Sequence, residues 1–256
     1  MRYEKNKMRV VIGPCCPTIF APKEDFGLHH SNSFWILKGF RLPVGLVSCN
    51  GYANHPSLLG IELLNEPSAS RVPLDVLISY YSKGYQIVQK YSSSAYVIIC
   101  QRIGNADPLE LYQANIGFSN IVVDLHYYNL FDTFFVNMSA ADNIEYILKS
   151  RQTQLQVLNK ANGPLVFIGE WVNEWTVTNG SQVDYQDFGR SQLEVYDTAS
   201  FGWAYWTLKN YRKHWDFEWN INNNYLQLGE SSKQKISSGA WLLALAYWCL
   251  NLDYIL

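Results

Sequence analysis

The stretch that most constrains the fold is Gly60-Ile61-Glu62-Leu63-Leu64-Asn65-Glu66-Pro67. It reads as a buried strand that presents an Asn and a carboxylate at its carboxyl end and is then stopped by Pro. Leu165-Val166-Phe167-Ile168-Gly169-Glu170-Trp171 has the same form, an apolar run whose last residues carry a Glu. Strands covered on both faces cannot alternate apolar and polar residues, so nearly continuous apolar runs point to a parallel sheet. Polar groups that emerge only at strand carboxyl ends are how a parallel α/β barrel builds its site.

The pattern continues along the chain. Apolar strand candidates fall at 58–65, Tyr96–Cys100, Ile121–Tyr128, Leu165–Trp171 and Gly202–Leu208, each separated from the next by enough chain for a helix. Leu74–Tyr91 places Leu77, Tyr81, Val88 and Tyr91 near helical spacing, with Asp75 in the first turn. Asp142-Asn143-Ile144-Glu145 has the form of a capping box opening a helix with Ile144, Ile147, Leu148, Leu155 and Leu158 as its buried stripe. A third helix is expected over Asp184–Ala199 and a shorter one near Pro108–Asn115. Strand–helix alternation of this kind is α/β, with helices outside a parallel sheet.

The pattern stops short of a whole barrel. Five clear strands lie after residue 57, and the first 57 residues cannot hold three more units of about 30 residues each. Met8–Pro14 reads as a short strand, and Phe40-Arg41-Leu42-Pro43-Val44-Gly45 as a strand end with an Arg inside it. We therefore expect one partial barrel domain over residues 1–229 and a divergent apolar tail over 230–256. Within that tail, Trp241–Leu252 is almost wholly apolar but shorter than the roughly 20 residues that span a bilayer. It reads as a packed terminal helix, with a membrane or partner anchor as the alternative.

Composition removes several functions. At 256 residues the chain can bury one sizeable core, and its net charge of −2, without a Lys/Arg tract, provides no footprint for nucleic acid. The five cysteines are odd in number and irregularly spaced, so neither a disulfide framework nor a metal site is expected. Cys100, inside an apolar run, reads as a buried inert thiol. No long apolar segment follows the charged first residues, so no signal peptide is expected, although Asn137-Met138-Ser139 and Asn179-Gly180-Ser181 are glycosylation sequons. The 9 Trp and 18 Tyr fit either a large aromatic core or a cleft that stacks on sugar rings.

Cleaving a glycosidic bond takes one carboxylic acid to protonate the leaving oxygen and a second carboxylate across the anomeric carbon. Glu66 and Glu170 are the Glu residues that stand at strand ends beside a sharp break. Each also fits a plain strand–loop junction, but the two together favour chemistry. Asn65 is placed to hold a sugar hydroxyl or a carboxylate, or to serve as a turn residue. Along Asp124-Leu125-His126-Tyr127-Tyr128, period two puts Asp124, His126 and Tyr128 on one face, where a Tyr hydroxyl can reach a nucleophilic Glu. His126 also fits a satisfied core position. Trp206 fits either a sugar platform or core packing. There is no Gly-x-Ser-x-Gly elbow and no His-x-x-x-His zinc spacing.

Taken in order, Ile61-Glu62-Leu63-Leu64-Asn65-Glu66-Pro67, His126-Tyr127-Tyr128, Phe167-Ile168-Gly169-Glu170-Trp171 and Gly202-Trp203-Ala204-Tyr205-Trp206 resemble glycoside hydrolase family 5. The resemblance is nearest its plant glucan 1,3-β-glucosidase-like members and covers roughly Tyr52 to Leu228. It implies a (β/α)8 TIM barrel, a retaining mechanism on β-glucan or β-glucoside substrates, no cofactor and no metal, and a secreted setting. Carried over, Glu66 is the acid/base and Glu170 the nucleophile, while Asn65, His126, Tyr128 and Trp206 shape the substrate site. Arg41-Leu42-Pro43-Val44-Gly45 resembles the family's second strand, so Arg41 would support the nucleophile. The recognisable strands are then the fourth to eighth. That segment runs within seven residues into Tyr52-Ala53-Asn54-His55-Pro56, so the third strand and its His are missing, and the first strand is not recognisable. A catalytically inactive or sugar-binding remnant of the family is the alternative reading.

Overall fold

The computed structural model describes residues 53–54, 58–104 and 106–228, together with the backbone of residues 10–12. Arg41, the segment around it and the apolar tail lie outside the described residues. The chain divides into two compact units, one over Met8–Ala114 and the other over Asn115–Leu243.

The first unit is built on three parallel strands: β1 (Val10–Ile12), β2 (Leu58–Glu62) and β3 (Tyr96–Cys100). β1 pairs along β2 with a register slip between Val10 and Val11, so the place beside the fourth-strand segment is filled from far upstream in the sequence. Gly60 lets β3 come close, since a Cβ there would stand 3.0 Å from the Tyr96 carbonyl oxygen. Between β2 and β3 runs α1 (Leu74–Tyr91), with Asp75 in its first turn and Lys90 in its last, the charges each end favours. Its buried stripe is Leu77, Tyr80, Tyr81, Gly84 and Val88. Tyr91, in phase with that stripe but the helix's last residue, stays 40% exposed. Gly84 is the point of closest approach, because a Cβ would stand 2.4 Å from Leu63 Cδ1. α2 (Glu110–Ala114) closes the unit.

The second unit carries β4 (Ile121–Asn129), β5 (Leu165–Trp175) and β6 (Gly202–Trp203), again parallel. β4 and β5 are buried along almost their whole length. After β4 come a 3-10 turn (Thr133–Phe135) and α3 (Ala140–Tyr146). A π turn (Ile147–Arg151) leads into α4 (Gln152–Leu158). The capping box that opens α3 is Ser139 with Asp142, one turn earlier than the expected Asp142–Glu145 pair. The wide π turn shifts the phase of the helix, so Asn143, Ile147, Leu155 and Leu158 are buried while Ile144 and Leu148 are half-buried. After β5, α5 (Gln182–Tyr196) is capped in the same way by Ser181 and Asp184, and so begins two residues ahead of the apolar pattern and ends three short of it. α6 (Phe217–Asn222) follows β6.

Three strand expectations need correction. One is β5, which runs on to Trp175, past the expected end at Trp171. The strand expected at 58–65, β2, ends at Glu62, because only Leu63 still bonds across, its N–H donating to the Ile98 carbonyl at 3.0 Å. The last regular strand is two residues long, and 204–208 run on as irregular chain held to β5 by Ala204 N–H on Ile168 O and Trp206 N–H on Trp171 O, both 2.9 Å.

Candidate active site

In the second unit, the register of β4 against β5 decides the geometry. Leu125 lies opposite Ile168, and the next residue, His126, lies opposite Glu170, so β5 has one extra residue there, Gly169. Gly169 cannot be replaced without rearrangement, since a Cβ would fall 2.1 Å from Asp124 Oδ1. Its N–H donates to that same oxygen at 2.8 Å. The bare α-carbon thus makes room for a buried carboxylate, and the bulge turns the next side chain, Glu170, toward β4.

A line of polar groups follows. His126 Nε2 stands 3.5 Å from Asp124 Oδ2, and its Nδ1 stands 3.5 Å from Glu170 Oε2. The Tyr128 hydroxyl donates to the same Glu170 oxygen at 2.7 Å. A hydroxyl donating to a carboxylate is charge-assisted and fixes the rotamer of the acid. Glu170 is 7% exposed, so the orientation is set by these neighbours and not by water. On the opposite face of β5, Trp171 is fully buried and meets Tyr196, Trp203 and Tyr205 edge-on at 4.8–5.4 Å. Alternation along the strand thus separates an apolar anchor from an acid presented to the other side.

Aromatic residues adjoin this line. The Tyr128 ring stacks on Trp215 at 5.8 Å, and Phe131, 76% exposed, meets both rings edge-on. Trp206 is half-buried and begins the chain that leads to Trp215, where Thr207 N–H donates to the Trp215 carbonyl at 2.8 Å. The Trp206–Thr207 peptide is cis. Neither Phe131 nor Trp215 was singled out from sequence; for Phe131 a signal was its place three residues after Tyr128, while Trp215 is brought in by the fold.

The Asn65-Glu66 pair is placed in the first unit, past the end of β2. Glu66 takes a left-handed conformation, φ +46°, which costs a non-Gly residue about 1–2 kcal/mol and is held here by its surroundings. Its N–H donates to Cys100 Sγ at 3.4 Å. Two tyrosines of α1 pin the strand ends on either side: Tyr80 OH donates to Leu63 O at 3.0 Å and Tyr81 OH to Cys100 O at 2.8 Å. Burial pushes the Tyr80 hydroxyl up to about 12, so it remains a donor at any working pH. Past Pro67, the Ile103 N–H donates to the Pro67 carbonyl at 2.9 Å, and Arg102 clamps Val72 O while gripping Glu110 with two 2.6 Å bonds. Asn65 Oδ1 is buried and has no hydrogen-bond partner among the described residues, so it is an acceptor held ready for a donor. Cys100 is fully buried. Arg41 lies outside the described residues.

Parallel strands alternating with helices define a barrel-type α/β protein. The likeness to a solved rutinosidase from Aspergillus niger supports that class, with a TM-score of 0.57 at 18% identity over 76% of this chain and 57% of that one. The fold is a (β/α)8 barrel, incomplete among the described residues. Residues 49–212 match the family model described as Cellulase (glycosyl hydrolase family 5), and the chain belongs to that family. It is similar to the probable glucan 1,3-beta-glucosidase A of Aspergillus terreus, 32% identical over 45% of this chain and 27% of the relative. It is also similar to the protein of the same description from Aspergillus niger, 26% identical over 72% of this chain and 52% of that one. The chain thus spans about half or less of these relatives' length.

Proposed function

We propose that this chain, or the protein it is part of, is a retaining glycoside hydrolase acting on β-glucosidic bonds of a β-glucan or β-glucoside. Glu170 attacks the anomeric carbon, displacing the leaving group and forming a covalent glycosyl-enzyme. Glu66 first protonates the leaving oxygen and then, as its carboxylate, removes a proton from the water that releases the sugar. Each half-reaction moves one proton through Glu66, so the chemistry needs no cofactor. Tyr128 holds Glu170 at the attack angle, His126 spaces Glu170 from Asp124, and Asn65 receives a sugar hydroxyl. Trp206 offers its ring to the sugar, and Arg41 supports the nucleophile.

The observation that carries the reading is the 2.7 Å bond from Tyr128 to a nearly buried Glu170 in the middle of a barrel strand. The names of the relatives favour glucan as substrate. The test is hydrolysis of an aryl β-glucoside by the chain and by Glu170→Ala, expected to differ by about 10³-fold or more, since a removed nucleophile leaves only the contribution of binding and polarisation. Equal rates would remove Glu170 from the chemistry. Retention further requires the two carboxylates about 5–5.5 Å apart, which a crystal structure of a sugar complex measures.

A second reading, a sugar-binding remnant without turnover, is favoured by the six residues between Gly45 and Tyr52, too few for a strand–helix unit. Glucan fragments bound with no release of reducing sugar would establish it.

A further inference from the structure

We infer that Asn137 and Asn179 are acceptors of N-linked glycans, and that the first sugar on Asn137 is seated against the Phe134 ring. Both asparagines begin Asn-x-Ser triplets and both are exposed. The fold treats the two triplets alike. Asn137-Met138-Ser139 leads into α3 and Asn179-Gly180-Ser181 into α5, with each serine the N-cap and each asparagine two residues outside the helix. Asn179 lies in the left-handed region, φ +65°, a conformation Asn tolerates and one that turns its side chain out of the chain's path. A bulky polar modification at either position meets no helix hydrogen bond.

The surface beside Asn137 is shaped for an occupant. Phe134 and Val136, which flank the sequon, are each 55% exposed. Phe134, Asn137, Met138, Asp142, Glu145 and Tyr146 line a groove of 440 Å³. Tyr146 braces Phe134 edge-on at 5.4 Å, so the ring is held in place. A pyranose has an apolar face of axial C–H bonds, which suits an aromatic ring, and an equatorial rim of hydroxyls, which suits the groove's polar rim, where Asp142 is bonded to Ser139 and Glu145 to Lys149. The occupant is a sugar tethered by the asparagine that lines the groove.

The caps also fix when the transfer takes place. In the folded chain the Ser139 hydroxyl donates to Asp142 Oδ2 at 2.7 Å and accepts from Asp142 N–H at 3.2 Å. Ser181 does the same with Asp184, at 2.8 and 3.2 Å. The hydroxyl that the transferring enzyme must read is committed on both sides once the helix has closed. Modification therefore precedes folding, on the nascent chain. Because Thr176 Oγ1 donates to Phe135 O at 2.7 Å, the two sequon-bearing loops are joined, and both follow the carboxyl ends of the strands that present Tyr128 and Glu170. The glycans would rim that face without touching the acid.

The test is translation of the full chain, fused to a cleavable signal, in the presence of microsomes, which reads transfer independently of folding. Two mobility steps are expected, one lost in Asn137→Gln, the other in Asn179→Gln, and both kept in Ser139→Thr, which retains hydroxyl and cap together. An unshifted wild-type chain, or one whose shift survives both Gln substitutions, would overturn the acceptor assignment. For the seat, the Asn179→Gln protein is secreted from a eukaryotic cell and its melting followed after two treatments. Trimming to a single N-acetylglucosamine should leave Tm unchanged, and complete removal should lower it by about 2–4 °C. With Phe134→Ala that drop should vanish, and an equal drop with and without the ring would refute the seat.

Discussion

The two glutamates that anchor the functional reading are positioned in opposite ways. Glu170 sits inside an eleven-residue strand and is aimed by its neighbours: a bulge at Gly169, a hydroxyl from Tyr128 and the ring of His126. Glu66 lies beyond the end of a five-residue strand and is aimed by its own backbone, in a left-handed turn held between two tyrosine-pinned strand ends. A proposed nucleophile must keep one oxygen on line within a crowded wall, and neighbouring side chains do that. A proposed acid/base serves a leaving group and then a water, and a turn that projects the side chain beyond the sheet suits the two tasks.

This contrast can be broken from either side. The largest effect is expected at Gly169. Gly169→Ala drives a Cβ into the Asp124 carboxylate, so the bulge must shift. Overpacking of that kind costs about 3 kcal/mol, visible as a lowered urea midpoint, and the proposed glucosidase activity should fall with it. A stable, active Gly169→Ala protein would show that the bulge does not aim Glu170.

On the other side, Arg102→Met removes the clamp that follows Pro67 and leaves Glu110 in place with a side chain only 6% exposed. Stranding one member of such a pair costs roughly 3 kcal/mol. A loss near zero would mean the turn is set by β2 and α1 alone. Tyr128→Phe should separate aiming from stability. Losing a hydrogen bond to a charged group is worth about 1.5–3 kcal/mol, or roughly a 10- to 100-fold fall in kcat with little change in KM, while Tm should move by less than about 3 °C. A KM effect with normal kcat would assign Tyr128 to binding.

The smallest expected effect lies away from both acids. Burial lowers the pKa of His214, against the raising influence of Glu174 and Asn220. The ring is stacked on Tyr185 at 3.9 Å, and its Nδ1 has no hydrogen-bond partner among the described residues. A histidine whose folded pKa lies below its unfolded value of about 6.5 contributes stability above that pH, which is lost as pH falls through the folded pKa. The Tm of the wild type should therefore decline from about pH 6.5 downward, and His214→Phe, which keeps the stack, should flatten that slope. An unchanged slope would place the pH dependence elsewhere.

Much of this molecule follows from local sequence. Apolar runs without alternation specify parallel buried strands, and the limits of α1 and β3 coincide with the pattern because Asp75, Lys90 and the flanking polar residues mark real ends. The common face of Asp124, His126 and Tyr128 follows from period two, since a strand has only two faces. The capping boxes at Ser139 and Ser181 are equally legible, as Ser followed three residues on by Asp, although in each case they lie ahead of the apolar pattern.

What the tertiary structure alone decided is register and conformation. Nothing in Phe167-Ile168-Gly169-Glu170 says that Gly169 is the extra residue of a bulge; that is set by the Asp124 carboxylate arriving from another strand. Nor does Asn65-Glu66-Pro67 announce a left-handed Glu66, a state that a non-Gly residue holds only because contacts from α1, β3 and Arg102 surround the turn. The π turn at Ile147–Arg151 likewise shifts the phase of its helix where Arg151 packs over Tyr127 at 4.0 Å. Composition and periodicity determine which face is buried, because burial depends on averages over a strand or helix. The placing of a single oxygen depends on a neighbour distant in sequence, and only the folded chain brings that neighbour in.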